Sequence, residues 1–224
     1  MSLILNIDTA IETASICLSE DEKVLKLAIN EHQKDHAAWI AVAIQKMMNE
    51  TGVQLKQLNA IAVTIGPGSY TGLRVGLSSA KGLCYTLNIP LITVGTLEMM
   101  AVAAKDQAST LLCPMIDARR MEVFTAVYDK KLKEIMPPQA MIINENSFTE
   151  LLQSNTIVFY GNGSKKLQQV LVHSNASFDR INCNASHLPY IAFQHLEAMR
   201  FADLAYVEPA YLKEFFTPAR KSKG

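Results

Sequence analysis

The feature that most constrains the fold of this chain is an internal repeat of one pattern of elements. Three strand-like runs, a segment with helical spacing, a buried strand, a glycine turn and a helix occur in that order twice within 224 residues. The first copy opens on a strand that ends in Ile7-Asp8, and the second on a strand that ends in Ile116-Asp117. Three hairpin strands followed by a helix-crossover strand predict a mixed sheet with helices on its faces.

Glycine turns stand at matching places in the two copies, Gly66-Pro67-Gly68 in the first and Gly161-Asn162-Gly163 in the second. Two such halves side by side form the duplicated, ribonuclease H-like α/β fold of the actin, hexokinase and Hsp70 ATPases. An ordinary doubly wound α/β protein is the alternative. We predict an N-terminal lobe of residues 1–105 that carries partner-docking helices. Residues 106–224 then form a C-terminal lobe with a basic tail from about residue 213.

Composition narrows the classes of function. Basic and acidic residues number 21 each, so the formal net charge is zero. A protein that grips nucleic acid by itself usually carries a basic excess, so we expect any role with RNA to be indirect. The four cysteines form no Cys-x-x-Cys pair, and no apolar run approaches the ~20 residues that cross a bilayer. We therefore expect a soluble cytoplasmic protein with reduced thiols and no membrane partner.

A buried strand that ends in an aspartate, together with a glycine turn that opens a helix, suggests a nucleotide site. Glycines let backbone N–H groups approach an anion, and a helix N-terminus favours negative charge. The turn is not a Walker sequence, because no Gly-Lys-Thr follows. The structural alternative is that Asp8 bonds backbone amides while Ser69 or Thr71 caps the helix. The candidate nucleotide-binding residues are Asp8, Thr9, Gly66, Gly68, Ser69 and Thr71.

Two N-terminal helices have faces suited to a protein partner. On the helix predicted for residues 71–87, an arc away from the sheet-facing stripe carries no charge, and a helix that avoids charge on a second face is usually covered there. The helix of residues 35–50 has an apolar arc wider than one core contact needs. The alternative is that this lobe packs against the second lobe. The predicted interface residues are His36, Trp39, Ile40, Ala43, Met47, Gly72, Val75, Gly76, Ser79 and Leu83.

The sequence shows no recognisable set of catalytic or metal-binding residues. His32 and His36 share one helix face, but no third ligand is evident, so we predict no metal site and expect His36 to cap the helix or touch a partner. Ser69 is not in a Gly-x-Ser-x-Gly elbow. Asp117 and Arg119 are expected to form a structural ion pair. No catalytic residue is assigned.

Motifs across most of the chain resemble those of the TsaB (YeaZ) family, a glycoprotease-like family of tRNA threonylcarbamoyladenosine biosynthesis. The most specific is Gly-Pro-Gly-Ser-Tyr-Thr-Gly-Leu-Arg at residues 66–74, and the others are residues 7–13, 91–98, 116–119 and 208–212. The resemblance implies a scaffold or activator subunit that does not itself transfer threonylcarbamoyl to the adenosine 3′ of the anticodon. It implies pairing of N-terminal halves with a homologous transferase, TsaD, participation of an ATPase, TsaE, and homodimers when the partner is absent.

The same resemblance bears on cofactors and on catalysis. It implies no tightly bound cofactor, with ATP or ADP and magnesium at the boundary with the partner. The transferases carry a His-x-x-x-His metal pair, and alignment puts Thr96 and Met100 at those positions, which implies that the metal site is absent. The rival interpretation is a stand-alone small-molecule kinase or ATPase of the same fold that uses Asp8 and residues 66–72.

Overall fold

The computed structural model describes residues 1–30 and 36–213, and for His36 it describes the backbone alone. Predictions about His32, about the His36 side chain and about the basic tail after residue 213 lie outside the described residues.

The first sheet has five strands in the order β3-β2-β1-β4-β5. Strands β1 to β3 pair in antiparallel hairpins, whereas β4 and β5 run parallel to β1. Apolar runs make β1, β2 and β4 almost fully buried, and β3 lies half exposed at an edge of the sheet. The strands are β1 (Leu3–Asp8), β2 (Ala14–Glu20), β3 (Lys23–Asn30), β4 (Ala60–Thr64) and β5 (Leu91–Val94).

The second sheet repeats the first strand by strand, in the order β8-β7-β6-β9-β10. Its strands are β6 (Leu111–Asp117), β7 (Glu122–Asp129), β8 (Glu134–Ile142), β9 (Ile157–Tyr160) and β10 (Ala176–Asp179). The predicted duplication is confirmed. Strand β10, the counterpart of β5, was not predicted, because it has only four residues, of which two are polar and two are exposed.

Six α-helices lie within the described ranges: α1 (His36–Thr51), α2 (Tyr70–Leu87), α3 (Thr96–Ala104), α4 (Thr149–Ser154), α5 (Ser164–Gln168) and α6 (Leu188–Glu197). Two end earlier than the sequence pattern predicts, since that pattern continues α5 to about Val172 and α6 from His187 to about Leu204. Helix α5 stops well before Val172, which is 99% exposed and has no core to join. Helix α6 stops before Met199, whose left-handed backbone (φ 51°) cannot continue a helix.

The elements stack in five layers around three cores. Helices α1 and α2 cover the outer face of the first sheet, and α4 and α5 cover the outer face of the second. Helices α3 and α6 lie between the sheets in a core to which both lobes contribute. No helix in the described part of the chain is long and apolar enough to span a membrane.

The end of the chain returns to the first lobe. Helix α6 packs against β1 and β5, although it belongs to the second half of the sequence. The segment after it, residues 202–213, is called the C-terminal strap below. The amide of Ala202 donates to Leu91 O at 2.9 Å, and that of Ala210 donates to Ile65 O at 2.7 Å. The first sheet ends at Val94 and the second begins at Leu111, and the end of the second half of the sequence packs on the first lobe.

Candidate functional site

The carboxyl end of β1 places Asp8 beside β4. Because these strands are parallel neighbours, Asp8 and Thr64 meet at the same edge of the sheet. Thr64 Oγ1 donates to Asp8 Oδ1 at 2.7 Å, and the Ala10 amide donates to the same oxygen at 3.1 Å. The side chain is fully buried, and among the described residues Asp8 Oδ2 has no hydrogen-bond partner. The expected bond to a backbone amide is present, and it satisfies only one oxygen.

Burial changes the titration of this carboxyl group. Loss of hydration raises the pKa of Asp8 to about 6, although the bonds from Thr64 and the Ala10 amide act to lower it. A buried carboxylate with an unpartnered oxygen is costly, so protonation in mildly acidic solution relieves that cost.

The glycines that follow β4 bring α2 against the β1–β2 loop. The Ser69 amide donates to Ala10 O at 2.7 Å, and Thr9 Oγ1 donates to Gly72 O at 2.7 Å. A Cβ at Gly68 would overlap the Ala10 carbonyl, and a Cβ at Gly72 would overlap Thr9 O. These glycines therefore serve a close approach of two protein backbones at the positions where the sequence suggests a phosphate.

The remaining turn residues also have roles within the chain. Gly66 has a φ of +122°, and a Cβ there would lie 2.7 Å from the carbonyl oxygen of Ala210 in the C-terminal strap. Ser69 caps α2, since its hydroxyl accepts from the Gly72 amide at 3.2 Å. Of the two predicted caps, Ser69 is the one used, and Thr71 lies exposed in the first turn. The structural alternative for this turn thus accounts for its glycines.

Half of the predicted partner face is interior, so that part of the prediction is wrong. Ile40, Ala43 and Met47 are 2%, 7% and 1% exposed, because the broad apolar arc of α1 packs into the core over the first sheet. Gly72 and Gly76 are buried too, because both face Thr9. The other predicted residues with described side chains, Trp39, Val75, Ser79 and Leu83, are half-buried.

A neighbouring face of α1 and α2, which shares only the half-buried Ser79 with the predicted one and is otherwise exposed, is uncharged. The docking face, as we call it, consists of Ala38, Ala41, Val42 and Gln45 on α1 and Ser78, Ser79, Gly82, Tyr85 and Thr86 on α2. Val42 is 65% exposed and Tyr85 81%. Nearby charges are engaged elsewhere in the chain: Glu50 pairs with Lys26 at 3.0 Å, and Lys81 Nζ donates to carbonyls of the C-terminal strap.

Gly82 is the residue of this face that the fold does not explain. It lies inside α2, is exposed, and a Cβ placed on it would meet nothing within 4 Å. A glycine inside a helix costs about 0.5–1 kcal/mol relative to alanine. Nothing in the described chain gains from the missing side chain, whereas a second backbone approaching α2 would.

The two positions that we expect to align with metal ligands of the transferases lie in the core to which both lobes contribute. Thr96 is 0% and Met100 2% exposed. Tyr160 of the second sheet donates its hydroxyl to Met100 O at 3.0 Å, and a Cβ at Gly161 would lie 2.7 Å from Met100 Cε. Side chains of the two lobes therefore fill the space around Thr96 and Met100. In the described ranges, no group of three or more His, Cys, Asp or Glu side chains could hold a metal ion.

Between the lobes lies a cavity of about 270 Å³, lined among others by Gly66, Pro67, Glu98, Tyr128 and Glu134. Burial raises the pKa of Glu98, although a hydrogen bond from the Gly95 amide opposes the shift. Sites for drug-sized ligands usually occupy ~300–1,000 Å³. The cleft in this conformation is therefore small for a nucleotide.

The second half has its own polar site, and the sequence assigns the wrong partner in it. Asp117 Oδ1 accepts from Lys166 Nζ at 2.8 Å and from the Arg119 backbone amide at 2.6 Å, so the side-chain ion pair is with Lys166 and not with Arg119. Burial acts to raise the pKa of Asp117, but these bonds outweigh it and the pKa lies below its usual value. The internal repeat could have identified Lys166 as a residue of this site, because Lys166 follows the second glycine turn, Gly161-Asn162-Gly163.

Comparisons with known proteins agree on a family. The family model described as TsaD, tRNA N6-adenosine threonylcarbamoyltransferase, matches residues 27–214. The Bacillus subtilis (strain 168) tRNA threonylcarbamoyladenosine biosynthesis protein TsaB is 30% identical over 218 residues, 94% of this chain and 93% of that protein. A Pseudomonas aeruginosa structure, described as an uncharacterized protein with similarity to peptidase YeaZ, has a TM-score of 0.85 at 23% identity over 95% of this chain and 100% of that one.

A more distant structure is similar in fold only. The activator of the 2-hydroxyisocaproyl-CoA dehydratase from Clostridium difficile, solved with bound ADPNP, has a TM-score of 0.53 at 7% identity. It covers 88% of this chain and 97% of its own. Together with the two matching sheets, this similarity confirms the predicted duplicated ATPase-like fold.

Proposed function

Because the chain belongs to the TsaB family of tRNA threonylcarbamoyladenosine biosynthesis proteins, we propose that it acts as a non-catalytic subunit which docks on a catalytic partner. Its part in the biosynthesis of this modified nucleoside follows from the family. The scaffold role, the partner and the lack of catalysis are our proposal. The observation that carries it is the uncharged docking face with Gly82 at its centre.

The shared core supports the lack of catalysis. Thr96 and Met100 stand where related transferases are expected to hold a metal, and both are buried among side chains of the two lobes. Neither a threonine in an apolar core nor a thioether suits a hard catalytic cation. We infer that the isolated chain transfers no threonylcarbamoyl group and cleaves no peptide.

The partner we propose is a homologous TsaD-like transferase, with a TsaE-like ATPase in the same assembly and a homodimer when the transferase is absent. Helices α1 and α2 pack side by side and offer small or uncharged residues to a second helix pair. We also propose that ATP or ADP with magnesium binds at the boundary with the partner, since the cleft within the chain offers about 270 Å³.

The test is an arginine in the middle of the docking face. A side chain at Gly82 meets open space, so Gly82→Arg is expected to fold, and it places bulk and charge in the contact. A buried unpaired charge costs several kcal/mol, roughly a thousandfold in affinity. We expect the variant to lose co-purification with the TsaD-like transferase and to lose tRNA modification in the reconstituted reaction.

Gly82→Ala is the matched control and keeps the face uncharged. It is expected to retain most of the partner binding. Gly76→Arg is not a usable test, because a Cβ at Gly76 already overlaps Thr9 Oγ1 and the variant would disturb the lobe itself. Wild-type recovery of the transferase with folded Gly82→Arg would show that the partner docks elsewhere.

The rival function, a stand-alone kinase or ATPase, has its own readout. It requires ATP turnover by the purified chain alone, and that turnover would have to disappear in Asp8→Asn. We expect no turnover above that of a control preparation, since Asp8 is fully buried and the glycines beside it are packed against protein backbone.

A further inference from the structure

The β6–β7 hairpin ends in two arginines held in an unfavourable backbone conformation. Arg119 and Arg120 have φ values of 68° and 49°, and both residues are exposed. Residues with a Cβ rarely adopt this left-handed region, and glycine and asparagine adopt it at least cost. Hairpin turns with two successive positive φ values accordingly favour Asn-Gly. Arg119 and Arg120 thus occupy two successive turn positions that disfavour arginine.

The turn itself does not need the guanidinium groups. Its conformation is held by the backbone and by Asp117, whose Oδ1 accepts from the Arg119 amide at 2.6 Å. The Ala118 amide donates to Glu122 O at 3.1 Å, and the Glu122 amide donates to Arg119 O at 3.2 Å. Strained positions of this kind concentrate at functional sites. The arginine side chains therefore call for a role outside the turn.

Positive charge exceeds negative charge around the tip. Asp117 and Glu122, the acidic residues at the ends of the hairpin strands, are already paired with Lys166 and Lys213. Across the described residues, Arg119 and Arg120 take part in no ion pair within 4.0 Å. In a chain of zero net charge, the tip of this hairpin thus presents two arginines that have no acidic partner in the described residues.

We propose that Arg119 and Arg120 contact the phosphate backbone of the tRNA on which this family acts. A guanidinium group presents a planar set of donors that matches two phosphate oxygens, and it stays charged at any physiological pH. A rigid hairpin that projects two such groups suits a sugar–phosphate chain. The proposal replaces the expectation of an indirect role with RNA that the even overall charge suggests, but that charge still predicts weak binding by the isolated chain. The inference rests on the family's role in tRNA modification and not on the docking face.

The test replaces both arginines by the residues that the turn prefers. Arg119→Asn/Arg120→Gly removes two positive charges and relieves the backbone, so the melting temperature is expected to rise by roughly 5 °C. Binding of the full-length chain to an unmodified tRNA transcript is measured from low to physiological salt. The slope of log K against log salt is expected to shrink by about 0.9 for each lost phosphate contact, about 2 in all.

A charge-matched control lies at the other end of β7. Lys130→Asn/Lys131→Gly removes two exposed lysines from the β7–β8 turn and is expected to leave the salt slope near that of the wild type. A variant with lower thermal stability would assign the arginines to the fold and overturn the proposal. So would an unchanged salt slope in the arginine variant, an equal loss in the control, or no measurable binding by the wild type at low salt.

Co-purification with the transferase distinguishes a failure of this proposal from a failure of the docking proposal. The arginine variant keeps the docking face, so it is expected to co-purify with the transferase at wild-type yield. Loss of the transferase together with an unchanged tRNA salt slope would mean that the arginines meet an acidic protein surface, and that result would overturn the proposal.

Discussion

Asp8 makes the stability of this protein depend on pH in the direction opposite to that of a salt-bridged carboxylate. Its pKa in the folded chain is about 6, above its usual value of 3.8, because the group is buried. Between these values the folded chain binds more protons than the unfolded chain, so the free energy of unfolding falls as the pH rises through this window. Above the window the loss is complete, at about 3 kcal/mol.

We expect Asp8→Asn to remove this part of the pH dependence. On acidification from pH 7.5 to pH 5, the wild type should gain roughly 1 to 2 kcal/mol more than the variant. Burial lowers the pKa of His187 and of His195, which acts in the opposite direction, but equally in both proteins. Urea unfolding of both proteins at the two pH values measures the difference. Parallel pH profiles would contradict the assignment.

Single residues also show where sequence-based prediction stops. Asp8 and Ser69 could be placed at strand and helix ends from the sequence, and the structure puts them there. The purpose of Gly68 could not be predicted, because a glycine admits an approaching phosphate and an approaching backbone alike. Its neighbour proves to be Ala10, far away in sequence. Lys166 was missed for a similar reason, since it meets Asp117 only through the sheet order.

At the scale of elements, α2 contains glycines of two kinds. Gly72 is pressed against Thr9, whereas Gly82 faces open space. We expect Gly72→Ala to destabilise the protein by more than 1 kcal/mol, because a methyl group there displaces the β1–β2 loop. Gly82→Ala should stabilise it by about 0.5–1 kcal/mol through helix propensity. Thermal unfolding of the two single variants compares them within one helix, and shifts of the same sign would refute this distinction.

Elements with strong patterns were predicted well and weak ones were not. Helix α2, predicted for residues 71–87, begins one residue earlier, since Ser69 caps it and a regular apolar stripe defines it. Helix α6 was extended too far because apolar residues continue after Glu197. In the structure the last of those residues, Ala202 and Leu204, belong to the C-terminal strap, where the Ala202 amide donates to Leu91 O in β5. Periodicity alone does not distinguish a helix from a strap that packs on the same core.

For the whole molecule, the core between the sheets decides how the lobes behave. It joins strands of both sheets through α3 and α6 and holds 23 fully or nearly fully buried residues in the part of the chain that the structure describes, so neither lobe keeps its inner face covered alone. The duplication could be predicted from the repeated Ile-Asp and glycine landmarks. The return of α6 to the first sheet could not, because its contacts with β1 span most of the sequence.

We therefore expect one cooperative unfolding transition for the full chain and no stable fold for residues 1–105 alone. The fragment lacks α6 and leaves Ile4, Ala62 and Ile92 without cover. Near-UV circular dichroism of the fragment should show no fixed tertiary packing. In the full chain, Ala192→Asp in α6 should lower hydrogen-exchange protection in both sheets, because Ala192 is 0% exposed in the shared core. A fragment that melts cooperatively would show that the lobes fold independently.

The return of the chain end also has a consequence for synthesis on the ribosome. Ala185, which donates its amide to Ser15 Oγ at 2.9 Å, is translated 80 residues after Lys105 (185 − 105). At about 5–20 residues per second, this interval lasts roughly 4–16 s. During that time the nascent first sheet has its outer helices but an open inner face. The surface we assign to the partner is thus translated before the lobe that carries it is closed, which gives a chaperone or the partner itself a period in which to act.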